Sequence, residues 1–385
     1  MITTLTAYTS EVDDIELAVE QIKSQLSFVG GLKKNTIAIV ACHYEFVLSG
    51  VYEAICDALP FDVVGTISSA QSVAEEIGTL LMTLTVMTSD EVEFTKILTP
   101  SLLEAPEKSI SESYKAASGD RTPALILAFA PYIMQNCGDD YVNILTDVSG
   151  GLPCFGTLAV DDTMDFSNSY MLMGGQHYRD KMGMVLIFGD IRPKFFVANI
   201  SESRLLDRTG IITKSEGPVL MEVNGRPVIE YLSDLGLVEA TEEQYAMTSI
   251  PFLLDYNDGM PKVSKMFVML TPERHAICAG AMPEGSTLHM AMTDRNDVIL
   301  TTSIAVDAIL KEIESASVLL SYTCIGRAMT LGADQFKELE LIKERIGGKL
   351  PFMIANSGGE MCPTQSVDGK IRNRFHNNAF IACVI

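Results

Sequence analysis

The sequence predicts an α/β fold in which mixed β-sheets, built from repeated strand–helix–strand units, are covered by helices in two domains. Three observations predict this class. Short apolar runs, typical of strands buried on both faces, alternate with segments of helical periodicity. No glycine motif for dinucleotide or phosphate binding follows any strand, so a plain Rossmann fold is not expected. A Leu-Pro pair precedes the second strand of each unit, at Leu59-Pro60, Leu152-Pro153 and Leu350-Pro351.

Three units are predicted in order along the chain. In each, a buried strand is followed by a helix and by a second strand that ends near a glycine or a polar turn. Strand, helix and strand are expected at 37–41, 46–58 and 59–66, at 124–130, 138–148 and 152–157, and at 318–322, 333–346 and 350–355. Hairpin-like strands, which alternate more between apolar and polar residues, are expected at 79–88, 92–98, 170–173, 183–188, 195–200 and 379–385.

Helix ends are marked by capping residues and glycines. Apolar residues recur at three- and four-residue steps over 336–346, and Gly347-Gly348 follows as the stop. Before the first unit, Ser10 and Asp13 are typical of a capping box that opens a helix. Gly30-Gly31 is expected to end that helix.

A domain boundary is predicted near residue 205, so that the first domain covers 1–205 and the second 206–385. The segment 201–204 is polar, and 207–210 is typical of a turn. The second domain is expected to continue with a strand at 219–223, a helix near 227–234 and a surface loop over 239–244.

The composition favours a cytoplasmic protein without nucleic-acid or membrane partners. The 385 residues carry a formal net charge of −22, which repels phosphate backbones and anionic lipids. The densest basic cluster, at Lys370, Arg372 and Arg374, is too short to reverse that field. No apolar run approaches the roughly 20 residues of a spanning helix, and the first residues lack the basic segment of a signal peptide.

The cysteines and histidines indicate neither a metal nor a cofactor. None of the eight cysteines has a partner at Cys-x-x-Cys spacing, which disfavours zinc and thioredoxin-like sites. Free thiols are typical of a reducing cytoplasm. The histidines show no metal-ligand spacing. We therefore expect no metal site and no cofactor.

Polar side chains gather where the second strand of each unit ends. Ligands in α/β sheets bind at the carboxyl ends of strands, so these turns are expected to line a pocket. The alternative is that their glycines and hydroxyls only shape tight turns. The candidate residues are Thr66, Ser68 and Ser69 in the first turn, Asp161 and Asp162 in the second, and Asn356, Ser357 and Glu360 in the third.

Six short motifs extend over nearly the whole chain. They are Gly65–Ala70, Phe155–Asp162, Asn224–Pro227, Cys324–Arg327, Gly358–Pro363 and Phe375–Asn378. In this order, the first two resemble the N-terminal FIST domain and the other four resemble the C-terminal FIST domain. The resemblance implies a sensory, ligand-binding module of signalling proteins, with small ligands such as amino acids.

The resemblance favours Arg327 and Glu360 as a clamp for a zwitterion. A guanidinium can hold a carboxylate through two hydrogen bonds. Glu360, in a Gly-Gly-Glu turn, would receive the cationic end of the same ligand. The alternative is that Arg327 makes a structural ion pair, with Glu360 or with an aspartate, and that no ligand binds.

A polar run, His376, Asn377 and Asn378, enters the last strand and is expected to hydrogen-bond a small polar ligand. The alternative is a turn in which asparagine adopts a left-handed conformation. Cys324 is expected to line the same site as a small buried residue. A second possibility is an enzyme in which Cys324 is the nucleophile, His376 the base and Glu360 the orienting group.

We therefore expect a cytoplasmic sensor rather than an enzyme. It would bind a small polar metabolite, such as an amino acid or another carboxylate, and relay its occupancy to a signalling protein by a population shift. No kinase, cyclase or methyl-accepting segment is recognisable in the sequence. The alternatives are a cysteine-dependent hydrolase or transferase using Cys324, and a protein–protein scaffold without a ligand.

Overall fold

The computed structural model describes residues 1–26, 31–133, 136–163, 166–238 and 250–385. Within them the chain forms three units of the same construction, and a separate sheet is inserted into the third. Each unit begins with an edge strand, a helix and a central strand. One or two further helices lead to a second strand that pairs in parallel with the central strand, and a hairpin and a return strand complete the unit. The predicted helix stop at Gly30 and the predicted surface loop over 239–244 lie outside the described residues.

The first unit comprises β1 (Thr3–Thr9), α1 (Ile15–Gln25), β2 (Asn35–Cys42), α2 (Glu45–Leu48), α3 (Val51–Ala58), β3 (Asp62–Ile67), β4 (Gln71–Ser72), β5 (Ile77–Gly78) and β6 (Met82–Ser89). The second comprises β7 (Glu93–Leu98), α4 (Pro106–Ser118), β8 (Leu125–Ala130), α5 (Gly138–Ser149), β9 (Cys154–Leu158), β10 (Met171–Met173), β11 (Gln176–Tyr178) and β12 (Gly183–Phe188).

The third unit opens with β13 (Lys194–Ala198) and is then interrupted by an insert. The insert comprises β14 (Leu205–Glu216), β15 (Val219–Val223), β16 (Arg226–Pro227), α6 (Val228–Asp234), β17 (Ile250–Asp255), β18 (Val263–Leu270), β19 (Ala276–Cys278) and β20 (Thr287–Ala291). The unit resumes with α7 (Arg295–Ile309), β21 (Leu319–Cys324), α8 (Ile325–Leu331), α9 (Lys337–Ile346), β22 (Phe352–Ser357), β23 (Glu360–Gln365), β24 (Ile371–His376) and β25 (Phe380–Val384).

The three units exchange hairpins in a closed cycle. Their own strands pair in the orders β1-β6-β2-β3, β7-β12-β8-β9 and β13-β25-β21-β22. Beside β3 lies the hairpin β10-β11 of the second unit, beside β9 the hairpin β23-β24 of the third, and beside β22 the hairpin β4-β5 of the first. Each sheet of six strands is therefore completed by a neighbouring unit.

The inner faces of the three sheets share one core. Along β2, Ile37 and Ile39 point into this central core, whereas Ala38 and Val40 point outwards towards the helices. Successive side chains of a strand face opposite sides, so a strand with apolar packing on both sides is apolar throughout. The continuous apolar runs in the sequence have this cause. Residues of all three units meet in the central core, including Ile39, Phe129, Phe155, Tyr322 and Ile381.

The insert is a sheet that closes on itself. Its strands pair in the order β14-β20-β17-β18-β19-β15, and an additional β14–β15 pairing joins the two ends. It has its own apolar core, which includes Leu220, Phe252 and Phe267. Because it leaves the third unit after β13 and returns at α7, it is positioned by that unit.

The predicted fold class is confirmed: mixed sheets are covered by helices and assembled from repeated units. The predicted strands at 183–188 and 219–223 are found at those residues. The helix predicted over 46–58 is two helices, because Gly50 adopts a positive φ of 84° between them. The predicted capping box is wrong in detail, since the side chain of Asp14 accepts the capping hydrogen bond from the Leu17 amide.

Strands from both sides of the predicted domain boundary at 205/206 share sheets. The pairing of β13 with β25 and of β4 with β22 joins the two halves of the chain. The boundary itself stays a prediction. In the described part of the chain, no helix combines the length and apolar character needed to span a membrane.

Two glycines allow the close approach of parallel strands within the units. A Cβ added at Gly156 would lie 1.8 Å from the carbonyl oxygen of Ala128, and one at Gly65 would lie 1.9 Å from that of Val40. We expect Gly156→Ala to lower the free energy of unfolding by about 3 kcal/mol, because main-chain atoms cannot move aside locally. Gly78→Ala is the control, since its Cβ would meet nothing closer than 3.7 Å. Equal urea midpoints for the two variants would contradict the close approach.

Candidate functional site

The turns that follow β3, β9 and β22 meet in a ring. Each second strand ends where the hairpin of another unit begins, so the three turns come from all three units. Main-chain hydrogen bonds connect each turn to the next: Leu158 N–H donates to Gly359 O (2.9 Å), Asn356 N–H to Ala70 O (2.8 Å) and Ile67 N–H to Tyr170 O (3.1 Å).

The first and third turns are also joined through side chains. Ser68 Oγ donates to the carbonyl oxygen of Asn356 (3.0 Å), and Asn356 Nδ2 donates to Ser69 Oγ (3.0 Å). Thr66 is buried on β3, opposite Met171 of the exchanged hairpin. The structure thus brings these three predicted residues to the ring, where the two serine hydroxyls bond to the turn of another unit.

The two predicted aspartates of the second turn lie in different environments. Asp161 is buried and accepts hydrogen bonds from the Thr163 amide (3.1 Å) and the Asn168 amide (2.7 Å), so it shapes its own loop. Asp162 is half exposed and lies 3.3 Å from Nε2 of His43. The prediction of Asp162 as a pocket residue is corrected, because its carboxylate faces the surface.

Glu360 ends the turn of the third unit, where that turn meets the second unit. It is fully buried at the start of β23, opposite Thr157 of β9 and His376 of β24. Neither carboxyl oxygen has a hydrogen-bond partner among the described residues. The Ser357 hydroxyl is nearby, but it donates to Gly359 O (2.8 Å). Burial raises the pKa of Glu360 well above its ordinary range, against the opposing effects of Ser357, Cys324, the Ala379 amide and the charge of Arg327.

His376 presents a free acceptor beside Glu360. Cross-strand neighbours on one face of a sheet have Cβ atoms about 5 Å apart. The Nε2 atom lies 3.1 Å from the carbonyl oxygen of Cys362. Because a carbonyl only accepts, Nε2 carries the proton and Nδ1 is an acceptor, for which the described residues supply no donor. Burial lowers the pKa of His376 to about 3, so the ring is neutral.

Two buried asparagines next in sequence to this site also carry unpaired acceptors. Asn356 opens the turn that Glu360 ends, and Asn377 follows His376 directly. Both are buried, and the side-chain oxygen of each has no donor among the described residues. A buried polar atom without a partner costs about 1–3 kcal/mol. We call Glu360, His376, Asn356 and Asn377 the acceptor cluster.

Cys324 and Asn378 border the acceptor cluster. Cys324 ends β21 and is buried next to Glu360, with the main-chain amides of Gly326 and Asn378 directed at its sulfur. Burial, followed by the charge of Glu360, raises the pKa of the thiol well above its ordinary value. Such a thiol is a poor nucleophile. Asn378 has a positive φ of 51°, which is the left-handed turn that the sequence offers as an alternative.

Arg327 is not free to hold a ligand carboxylate. Its Nε and Nη2 donate to one oxygen of Glu338 (3.0 and 2.8 Å), and Nη2 also donates to Thr302 Oγ1 (2.7 Å) and Val298 O (3.0 Å). The predicted clamp with Glu360 is therefore corrected to a buried ion pair with Glu338. The sequence carries a signal for this partner, because Glu338 lies four residues before Ile342 on the buried face of α9.

The insert covers the acceptor cluster. Lys265 of β18 is buried and donates to both carboxylate oxygens of Asp139 (2.9 and 2.8 Å) and to Phe375 O (3.0 Å). Burial lowers the pKa of Lys265, but the charge of Asp139 outweighs it and holds the pKa above its ordinary value. The Asn377 amide donates to Ser264 O (3.0 Å). Neither Lys265 nor Asp139 stands out in the sequence, since a lone lysine in a strand and an acid in a first helical turn are common.

Open grooves lie away from this cluster. One of about 600 Å³, lined in part by Lys33, Asp57 and Lys96, opens at the amino ends of β2 and β3, opposite the turns. The parts of the chain that the structure describes contain no cluster of three metal-ligating side chains. All four residues of the acceptor cluster are buried.

The architecture defines a class: a protein of three hairpin-exchanging α/β units around a buried polar centre. Residues 36–226 match the FIST N domain and residues 228–363 match the FIST C domain. The chain belongs to the FIST family, whose domains are associated with sensory signal transduction.

Comparisons with individual proteins add little to this assignment. A comparison with curated proteins finds no match. Among solved structures, a cyanuric acid hydrolase from A. caulinodans is similar over 100% of this chain and 99% of that chain, with 10% identity and a TM-score of 0.35. A likeness that weak carries no argument about activity.

Removal of the Arg327 guanidinium should destabilise the fold rather than act on a ligand alone. We expect Arg327→Met to lower the free energy of unfolding by about 3–5 kcal/mol, because Glu338 is left as an unpaired buried charge. Arg226→Met is the control, since Arg226 pairs with Glu230 on the surface and an exposed pair contributes about 1 kcal/mol or less. Urea unfolding measures the free energy of unfolding of both variants. If Arg327→Met loses as little stability as Arg226→Met, the buried pair is dispensable.

Glu360 should make stability depend on pH. The native protein keeps its carboxyl protonated to a higher pH than the unfolded chain, where its pKa is about 4.3. Between these pKa values unfolding releases a proton, so wild-type stability falls as pH rises, by at most about 1.4 kcal/mol per unit. Glu360→Gln lacks this dependence.

We therefore expect the unfolding free energy of Glu360→Gln, minus that of the wild type, to grow from pH 5 to pH 8. Urea unfolding at several pH values measures the difference, and His376 is present in both proteins, so its titration cancels. A difference that stays constant over this range would show that Glu360 is ionised throughout.

Proposed function

We propose that this FIST protein is a sensor that binds a small polar ligand at the acceptor cluster. The observation that carries the proposal is the pair Glu360 and His376, which face each other across two strands, fully buried, with unpaired acceptor atoms. A ligand with hydrogen-bond donors would satisfy these atoms. Unsatisfied buried groups are few in native proteins and concentrate where function requires them.

The position of the acceptor cluster supports a binding role. Asn356 and Glu360 bracket the turn of the third unit, which bonds to the turns of both other units. A ligand at this point would contact elements of all three units at once. Its binding energy would therefore act on the arrangement of the whole molecule.

The insert gives the proposed sensor a means of relay. It lies over the acceptor cluster through Ser264, Lys265 and the hydrogen bonds to Asp139 and Asn377. A ligand that enters beneath β18 would favour an arrangement in which the insert has moved. Such a ligand shifts the population only as far as its affinities for the two arrangements differ. We propose that a signalling protein reads the position of the insert.

A cytoplasmic setting fits this proposal. All eight cysteines are free thiols, and seven of them are buried, which suits a reducing compartment. We propose a binding role rather than catalysis, because the protonated, buried thiol of Cys324 suits a lining residue better than a nucleophile. An amino acid is a candidate ligand through its ammonium group, although Arg327 is already engaged by Glu338.

A thermal-shift screen of amino acids, amines, carboxylates and nucleotides tests the proposal. A specific ligand at 100 times its Kd should add about 2.7 kcal/mol of stability. We expect Asn377→Ala to weaken this shift, because it removes an acceptor from the cluster.

Asp162→Asn is the matched control, since Asp162 faces the surface beside His43, and it should leave the shift intact. A ligand whose shift survives Asn377→Ala and Glu360→Gln alike binds elsewhere and contradicts the assigned site.

A further inference from the structure

We propose that the ligand of this sensor is a small organic cation, an amine or guanidine whose charged group pairs with Glu360. The inference rests on the proposed sensor function and names its ligand class. This ligand class differs from the zwitterion or carboxylate expected from the sequence. The structure leaves a buried acid, and no buried lysine or arginine, without a counter-ion.

The buried lysine and the two buried arginines of the described residues are already neutralised. Each has a carboxylate within ion-pair distance, and two of the three pairs involve a fully buried acid or base. An anionic ligand would therefore have to displace a built-in carboxylate. The pairs are Lys265 with Asp139, Arg327 with Glu338, and Arg374 with Asp258.

Among the buried acids of the described residues, Glu360 differs from the others in its surroundings. Asp139 and Glu338 have cations, Asp297 lies 3.8 Å from Arg204, and Asp161 accepts amide hydrogen bonds. Glu360 has no cation of its own, and its two oxygens have no hydrogen bond of ordinary geometry, although Ser357, Cys324 and the Ala379 amide lie close enough to act on its pKa. A ligand cation at Glu360 would complete the pattern that the other buried charges follow.

The His376 ring opposite Glu360 also has an unpaired acceptor, Nδ1. The unpaired atoms of His376, Asn356 and Asn377 are all acceptors. An ammonium group carries three donors and a guanidinium five, with no acceptor. A carboxylate offers only acceptors, so it could bond to the O–H of a protonated Glu360 but would leave the other unpaired acceptors unsatisfied.

Binding should release a proton. The groups that face Glu360 are Cys324 from β21, Arg327 from α8, His376 from β24 and Cys362 on its own strand. Burial raises the pKa of Glu360 well above its ordinary range, which favours a protonated carboxyl in the free protein. When a cation LH⁺ from solution binds, the carboxyl proton leaves to solvent and a carboxylate–LH⁺ pair remains, so charge and atoms balance and no covalent bond changes. Affinity then rises by up to tenfold per pH unit while the free carboxyl stays protonated.

Probes that share a skeleton and differ in charge test the ligand class. The first set is 1,4-diaminobutane, 1,4-butanediol and butanedioate, and the second is methylguanidinium, methylurea and acetate. We expect the cation of at least one set to bind most tightly in calorimetry. Glu360→Gln, which keeps the shape and removes the charge, should weaken it by about 30-fold or more, whereas Asp162→Asn should not.

Proton release is the second readout. Calorimetry in two buffers of different ionisation enthalpy should give about one proton released per bound cation near pH 6, and none for any residual binding to Glu360→Gln. If an alcohol, urea or carboxylate binds the site more tightly than its cationic counterpart, or a cation binds without Glu360, the cation assignment fails while the sensor function stands. If no probe of any charge binds, and the wider screen also finds no ligand, the sensor function fails with it.

Discussion

The closed exchange of hairpins is the constraint on which the rest of the structure depends. Each second strand, β3, β9 or β22, has its outer main-chain groups paired by a hairpin from another unit. Buried main-chain groups must be paired, so none of the three sheets is complete alone. The exchange forces the three turns into one ring, and it places Glu360, the first residue of an exchanged strand, at the meeting point of two units.

The buried polar groups around this ring fall into two kinds. Arg327 with Glu338 and Lys265 with Asp139 are closed ion pairs that fix α7, α8 and α9 and hold the insert on the ring. Glu360 is an acid without such a partner. Perturbed buried acids of this kind are more frequent at functional sites than elsewhere. The difference between paired and unpaired charge is what identifies the site, since the enclosed centre is not an open groove.

The sequence predicts the units well because their signals are local. Apolar runs such as 125–130, the Leu-Pro pairs and the glycine stops of helices depend on neighbours within about ten residues. The opening strands β7 and β13 were predicted at 92–98 and 195–200, but as hairpin strands at the end of the preceding unit. The helices α4 and α7 that follow them were not predicted. The cyclic exchange was not predicted either, since β10 and β3 are about a hundred residues apart and nothing in either strand specifies its partner.

The site is predicted in part for the same reason. The ends of the second strands place Ser68, Ser69 and Glu360 near the ring, and the run 376–378 leads into the last strand, β25, as expected. The partner of Arg327 depends on how α8 packs against α9, which no motif encodes. Asp161 and Asp162 are adjacent in sequence, yet one is buried and the other exposed.

Infrared difference spectroscopy tests the central claim most directly, namely that Glu360 holds a proton in the free protein and gives it up to a cationic ligand. A protonated carboxyl has a C=O stretching band separate from the carboxylate bands. The account predicts such a band in the free protein near pH 6, its absence in Glu360→Gln, and its conversion to a carboxylate band when an amine probe binds. A free protein whose spectrum matches that of Glu360→Gln in this region, or a band that persists in the complex, would contradict it.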